Sequence, residues 1–215
     1  MKTNQPQEVL RKHRLNVVVT IDDYNLAIPT ARALAEGGIK SAEITMRTPA
    51  ALKAIEMIAA HCPDVVVGAG TVLTPDNARD VRAAGGQFCI APDFNQGMVD
   101  YCLENAIPVY PGVATPTEMG MAVRSGLSVV KVYPIEPLGG VGFLKIVNGP
   151  FGSLRWLPSG GISTANLASY LAYDRVVACG LTWIATTDMI NDGEFDRIRD
   201  NACEAVQIAA EYVSR

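Results

Sequence analysis

Lys131 is the residue with the clearest chemical potential. It sits in Ser128-Val129-Val130-Lys131-Val132-Tyr133-Pro134, a short apolar run that reads as a strand. Strand side chains alternate between faces, so Val130 and Val132 share one face and Val129, Lys131 and Tyr133 the other. A lysine on a buried strand is costly unless it is paired or gives up its proton. The neutral amine that results attacks carbonyl carbon, as Schiff-base chemistry requires. The alternative at this point is an edge strand with Lys131 turned to water, where most lysines lie. A second group is Glu43-Ile44-Thr45-Met46-Arg47, where Glu43, Thr45 and Arg47 alternate with Ala42, Ile44 and Met46. The apolar set is expected to pack on helices, which leaves the polar set for a site or for solvent. A third group is the glycine turns Gly68-Ala69-Gly70-Thr71, Pro158-Ser159-Gly160-Gly161 and Gly180-Leu181-Thr182, where a backbone turns tightly or lets a ligand approach closely.

The elements that position these groups follow from the pattern. Asn4 to Leu15 reads as a short N-terminal helix and Asn16 to Thr20 as a buried strand. Asp22 and Asp23 are placed to cap a helix ending near Gly37-Gly38. Strand 41–47 is followed by Pro49 at the first turn of a helix reaching His61. Val65 to Gly68 is a strand, Thr74-Pro75 opens a helix, and 87–92 is a fourth strand. Asn95 to Asn105 is helical, Ile107 to Tyr110 a strand, and Thr115 to Arg124 a helix. The lysine strand comes sixth. Phe143 to Val147 is helical, 154–157 a strand, Ala165 to Leu171 a helix, Val176 to Cys179 the eighth strand, and Phe195 to Val213 one long helix. A strand–helix unit thus recurs eight times, at intervals of roughly twenty residues, which predicts a parallel sheet with helices outside it. The expected fold is α/β, a single (β/α)8 TIM barrel over residues 1–215 with a short N-terminal helix; a doubly wound open sheet is the alternative. In such a barrel, chemistry gathers at the C-terminal strand ends, and the loops after strands seven and eight cradle phosphate.

Composition removes other classes. Hydrophobic residues make up 49% of the chain, ample for a core. A net charge of −4 argues against a nucleic-acid surface or an anionic membrane. No apolar run approaches the roughly 18 residues of a spanning helix, and the polar start has no signal-peptide core, so a cytoplasmic location is expected. Cys62, Cys89, Cys102, Cys179 and Cys203 are odd in number and widely spaced, which predicts free thiols rather than disulfides or a zinc site. His13 and His61 have no partner at ligand spacing, so no metal is expected.

Glu43-Ile44-Thr45-Met46-Arg47-Thr48, Gly68-Ala69-Gly70-Thr71-Val72, Lys131-Val132-Tyr133-Pro134, Gly149-Pro150-Phe151 and Pro158-Ser159-Gly160-Gly161-Ile162 together resemble the bacterial 2-keto-3-deoxy-6-phosphogluconate / 4-hydroxy-2-oxoglutarate (KDPG/KHG) aldolases, from about residue 16 to about 200. The resemblance implies a (β/α)8 barrel, a homotrimer, no metal or other cofactor, and a class I pyruvate aldolase of the Entner–Doudoroff type. It implies that Lys131 forms the Schiff base and Glu43 moves protons. Arg47 and Thr71 hold the pyruvate carboxylate, and Pro92 and Tyr133 wall the site. Ser159 lies near the aldehyde portion, and Gly160, Gly161, Gly180 and Thr182 form the phosphate side. Thr20 stands where many members carry Arg, Asp93 where Gly is frequent, Ile135 where a small residue is usual, Tyr133 for Phe, Ser159 for Thr, and Thr182 for Ser.

The implied reaction cleaves a 2-keto-3-deoxy acid to pyruvate and an aldehyde, which is either glyceraldehyde 3-phosphate or glyoxylate. Replacing Lys131 with Ala is expected to abolish turnover and leave the fold intact. Rival readings at this stage are an aldolase of the 2-keto-3-deoxy-6-phosphogalactonate type, a metal-dependent aldolase, a phosphosugar isomerase or epimerase on the same barrel, and a non-catalytic barrel. The metal-dependent rival is tested by chelation. Aldol cleavage is expected to keep its full rate after exhaustive EDTA treatment, and a loss restored by a divalent cation would overturn the Schiff-base reading.

Overall fold

A computed structural model describes residues 5–213. Helix α1 (Gln5–His13) leads into strand β1 (Leu15–Val19), a short 3-10 turn (Tyr24–Leu26) and α2 (Ala27–Glu36). Then come β2 (Ser41–Thr45), α3 (Ala51–His61), β3 (Val66–Gly70), α4 (Pro75–Ala83), β4 (Cys89–Ile90), α5 (Gln96–Glu104), β5 (Val109–Tyr110), β6 (Gly112–Val113) and α6 (Pro116–Arg124). The lysine strand β7 (Val129–Val132) is followed by α7 (Ile135–Leu138), α8 (Gly140–Asn148), β8 (Arg155–Pro158), α9 (Thr164–Leu171), β9 (Cys179–Leu181), α10 (Thr187–Asn191) and α11 (Phe195–Val213). Asn4, included in the expected first helix, lies outside the described residues.

All strand pairs are parallel. One sheet has the order β5-β4-β3-β2-β1-β9, the other β6-β7-β8. Isolated bridges, Trp156 to Val176 and Ser159 to Gly180, tie the end of the second sheet to the β9 region. Strands β1, β2, β3 and β7 are buried along their whole length, as parallel strands covered on both faces are.

The two faces have different company. Outward-facing Val17, Val19, Ile44, Val67, Val130 and Val132 join the large cluster shared with the helices. Inward-facing Phe88, Ile90, Tyr110, Val129 and Leu157 form a smaller cluster, into which α1 inserts Leu10, 1% exposed. Phe88 and Tyr110 meet edge to face, centroids 6.5 Å apart. Each such side chain contributes roughly 1.5–3 kcal/mol on burial. Among the described residues no helix is long and apolar enough to cross a membrane.

Local differences from the sequence expectations have physical causes. Asp23 caps the 3-10 turn by accepting from the Asn25 N–H, and α2 starts four residues later without a side-chain cap. Helix α3 starts at Ala51 with Ala50 as N-cap, so Pro49 precedes it. The eighth strand was expected over Val176 to Cys179, but its ladder begins where Cys179 pairs with Leu15 and runs on to Leu181. Val176 meets Trp156 through an isolated bridge and stands outside that ladder. All five cysteines are free thiols.

Helix α6 shows how the sequence fixes an element start. The Thr115 hydroxyl accepts from the Glu118 N–H at 3.4 Å, and Glu118 Oε2 accepts from the Ala114 and Thr115 N–H groups, each at 2.8 Å. Partial burial pushes the Glu118 carboxyl up, but these N–H donors and the Thr115 hydroxyl outweigh it and hold the group below its usual 4.5. A carboxyl depressed in the folded state adds stability above its unfolded value and loses it as pH falls through the folded one. Thr115→Ala is expected to cost about 1 kcal/mol in urea denaturation at neutral pH. Glu118→Gln is expected to be destabilising at neutral pH and to converge on the wild type in acid. A difference that persists unchanged in acid would deny the carboxylate its part.

Candidate active site

Lys131 pairs with Gly112 on one side and Leu157 on the other, so β7 is an inner strand of its sheet and the edge-strand alternative does not hold. The side chain points inward and the residue is 6% exposed. Its Nζ donates to Glu43 Oε1 at 3.4 Å, and Glu43 is 1% exposed. The pair spans 88 residues of sequence and joins the two sheets. Removing two charges from water costs several kcal/mol per ion, so this contact is no source of net stability; it concentrates a proton donor and acceptor in a dry place.

The neighbours adjust to that pair. Tyr133 lies on the same face as Lys131, with its ring centroid 5.5 Å from Nζ, within cation–π range. Gly70 pairs with Thr45 beside Glu43. A Cβ there would lie 2.8 Å from Glu43 Cγ and 2.9 Å from Cδ, so the glycine makes room for the carboxylate. The next residue, Thr71, has φ of 58°, a left-handed conformation that a β-branched residue adopts at real cost and that clusters at functional sites. Pro92 closes the exit of β4 and its carbonyl lies against Gly112, the ladder partner of Lys131. Below the pair, burial pushes the Tyr110 hydroxyl well above its ordinary value, and its oxygen has no partner among the described residues.

Arg47 stands beyond the end of β2 and is exposed. One of its terminal nitrogens donates to Thr20 Oγ1 at 2.8 Å, and Thr20 shares a 2.9 Å hydrogen bond with buried Thr45. Arg47, Thr20 and Thr182 line a cleft of about 390 Å³ together with Trp183 and Thr186. Ser159 is 4% exposed, and its bridge to Gly180 brings the loop after β8 against the loop after β9. Gly160 and Gly161 follow with φ of 96° and 90°. Among the residues singled out from sequence, Lys131 with Glu43, Ser159 with Gly180, and Arg47 with Thr182 are therefore brought together. Arg47 and Thr71 share no hydrogen bond.

Sequence reading missed Asn16. Its Nδ2 donates to Glu43 Oε2 at 2.6 Å, and the residue has no exposed surface. Its Oδ1 is buried without a partner among the described residues, which costs about 1–3 kcal/mol. The signal was available: alternation puts Asn16, Val18 and Thr20 on one face of a strand otherwise made of apolar residues.

A family model of the KDPG and KHG aldolases matches residues 7–201. The chain belongs to the KDPG and KHG aldolase family. Among its relatives, the 2-dehydro-3-deoxy-phosphogluconate aldolase of Treponema pallidum is 42% identical over 94% of this chain and 96% of its own. The KHG/KDPG aldolase of Escherichia coli K12 is 40% identical over 88% and 89%. The crystal structure of KDPG aldolase from Legionella pneumophila superposes with a TM-score of 0.89 at 34% identity, covering 94% of this chain and 98% of that one. That protein was captured with pyruvate as a covalent carbinolamine intermediate.

Gly70→Ala tests the fit around Glu43 in this KDPG/KHG aldolase family member. The added methyl group is expected to displace the carboxylate, and a displacement of about 1 Å is expected to lower kcat about 100-fold. Circular dichroism is expected to remain native. A variant with wild-type kcat would show that the position of Glu43 does not matter.

Proposed function

We propose that this protein is a class I aldolase in which Lys131 forms a Schiff base with the C2 ketone of a 2-keto-3-deoxy acid. The substrate is 2-keto-3-deoxy-6-phosphogluconate, 4-hydroxy-2-oxoglutarate, or both; the products are pyruvate with glyceraldehyde 3-phosphate or glyoxylate. The observation that carries the reading is a lysine amine buried beside a single carboxylate, 3.4 Å away.

Glu43 takes a proton from the ammonium, and the neutral amine adds to C2. Glu43 returns the proton to the carbinolamine hydroxyl, which leaves as water and generates the iminium. The iminium draws electrons as Glu43, now a carboxylate, accepts the C4 hydroxyl proton. The C3–C4 bond breaks, the aldehyde departs, and its electron pair remains in the enamine. Protonation at C3 and hydrolysis release pyruvate and the free lysine.

Arg47, anchored by Thr20, offers the substrate carboxylate a planar two-point grip, with Thr71 as its second contact. Tyr133 and Pro92 wall the pyruvate end and Ser159 the aldehyde end. Gly160, Gly161, Gly180 and Thr182 take the phosphate, through backbone N–H groups and a hydroxyl.

The reading includes a closed (β/α)8 barrel in a single domain. Its support is that Pro111 alone separates β5 from β6, and that two bridges link β8 to the β9 region. A homotrimer belongs to the same proposal; Ile146 on α8, 77% exposed, is an apolar side chain for a subunit contact to cover. Five free thiols suit a reducing, cytoplasmic compartment.

Borohydride reduction in the presence of pyruvate, followed by peptide mapping, is expected to leave a pyruvyl adduct on Lys131. An adduct elsewhere, or none on the folded protein, would overturn the assignment. Lys131→Ala is expected to abolish turnover, but the ion pair changes the expectation for its fold. Removing one partner of a buried pair costs about 3–5 kcal/mol, so that variant is expected to unfold at lower urea. Lys131→Met, which fills the space, serves as the second inactive variant.

A further inference from the structure

We infer that Asn16 is a positioning residue that holds Glu43 in both of its protonation states; the inference rests on the aldolase reading above. Asn16 donates at 2.6 Å to Oε2, the carboxylate oxygen that Lys131 does not contact. It is fully buried, on a strand whose neighbours Leu15, Val17 and Val19 are apolar and equally buried. Its Oδ1 has no partner among the described residues. Gly70 confines the carboxylate from the side of β3.

A buried amide with only one of its two polar atoms hydrogen-bonded is uncommon. Valine would suit a strand position of this kind better. The chemistry of the amide accounts for its presence. Toward a carboxylate it presents the Nδ2–H donor seen here; turned over, it presents Oδ1 as acceptor to a carboxylic acid. Glu43 alternates between those two forms through the reaction. Lys131 cannot hold it throughout, because its nitrogen becomes a carbinolamine, an iminium and then a neutral enamine. Asn16 is the partner that remains, and its spare acceptor serves the steps in which Glu43 carries the proton.

The test compares Asn16→Val and Asn16→Asp with the wild type in kcat, KM, their pH profiles, and borohydride trapping of pyruvate on Lys131. Asn16→Val is expected to fold, to trap pyruvate, and to lose about 100-fold in kcat with KM changed less than about threefold. Asn16→Asp sets two carboxyls at hydrogen-bond distance, which share one proton. While the proton is shared, the introduced carboxyl donates to Glu43 and kcat is expected within about tenfold of the wild type. As pH rises and that proton leaves, kcat of the variant is expected to fall relative to the wild type. An Asn16→Val enzyme with wild-type kcat overturns the role. So do Val and Asp variants equally impaired at every pH, which would mark Asn16 as a matter of fit alone. Should the Val variant not fold, the Asp profile decides. A wild type that traps no pyruvate fails the aldolase reading and this role with it, whereas normal wild-type trapping confines any failure to Asn16.

Discussion

An ammonium and a carboxylate held out of water at 3.4 Å set the terms for everything around them. The pair is expensive to bury, so the scaffold must be stable without its help. That stability comes from valine-rich parallel strands covered on their outer faces by helices and on their inner faces by a compact apolar layer. The same two surfaces keep water from the pair. Glu43 is also crowded into place: Asn16 on one oxygen, Lys131 on the other, and a backbone without a side chain at Gly70. A carboxylate with so little freedom has its direction set before substrate arrives, which is the condition for efficient proton transfer.

Much of this was legible in the sequence because it depends on short-range pattern. Alternation placed Val129 and Lys131 on one face and Val130 and Val132 on the other, and the clusters divide that way, the first face turned inward. Helix α11 was bounded correctly by a long amphipathic run, and α5 and α6 by Asn95 and Thr115 at their N-caps. Helices α7 and α10, of four and five residues, are too short to show a period and were not seen. Strand β9 was misplaced because the apolar run Val176–Cys179 is not the stretch that pairs with β1. The contact of Asn16 with Glu43 bridges 27 residues and that of Lys131 bridges 88. Alternation gives the face on which a side chain lies, but only the register between strands gives its partner.

Family membership and site geometry bear on different questions. The family fixes the kind of chemistry, and the arrangement around it shows what this chain does with its own residues. Thr20, where many members carry Arg, does not leave a gap: it takes the Arg47 guanidinium on one side and Thr45 on the other. A cation contributed from strand one in those members is here replaced by a hydroxyl that steadies the cation of strand two. Glu136, beyond Ile135, accepts the Tyr170 hydroxyl, which burial and this carboxylate together push far above its ordinary value. The turn after the lysine strand is thereby fastened to α9, the helix that follows the Ser159-Gly160-Gly161 loop.

Helix α1 carries none of the groups assigned to the reaction, yet Leu10 reaches the inner apolar layer on which Lys131 and Glu43 rest. That layer is part of the medium through which the two charges interact, and α1 supplies one of its walls. Water admitted there would raise the local dielectric beneath the pair and weaken the attraction of carboxylate for amine without moving either. The dryness on which the pair depends is thus owed partly to a helix that holds no group assigned to the reaction.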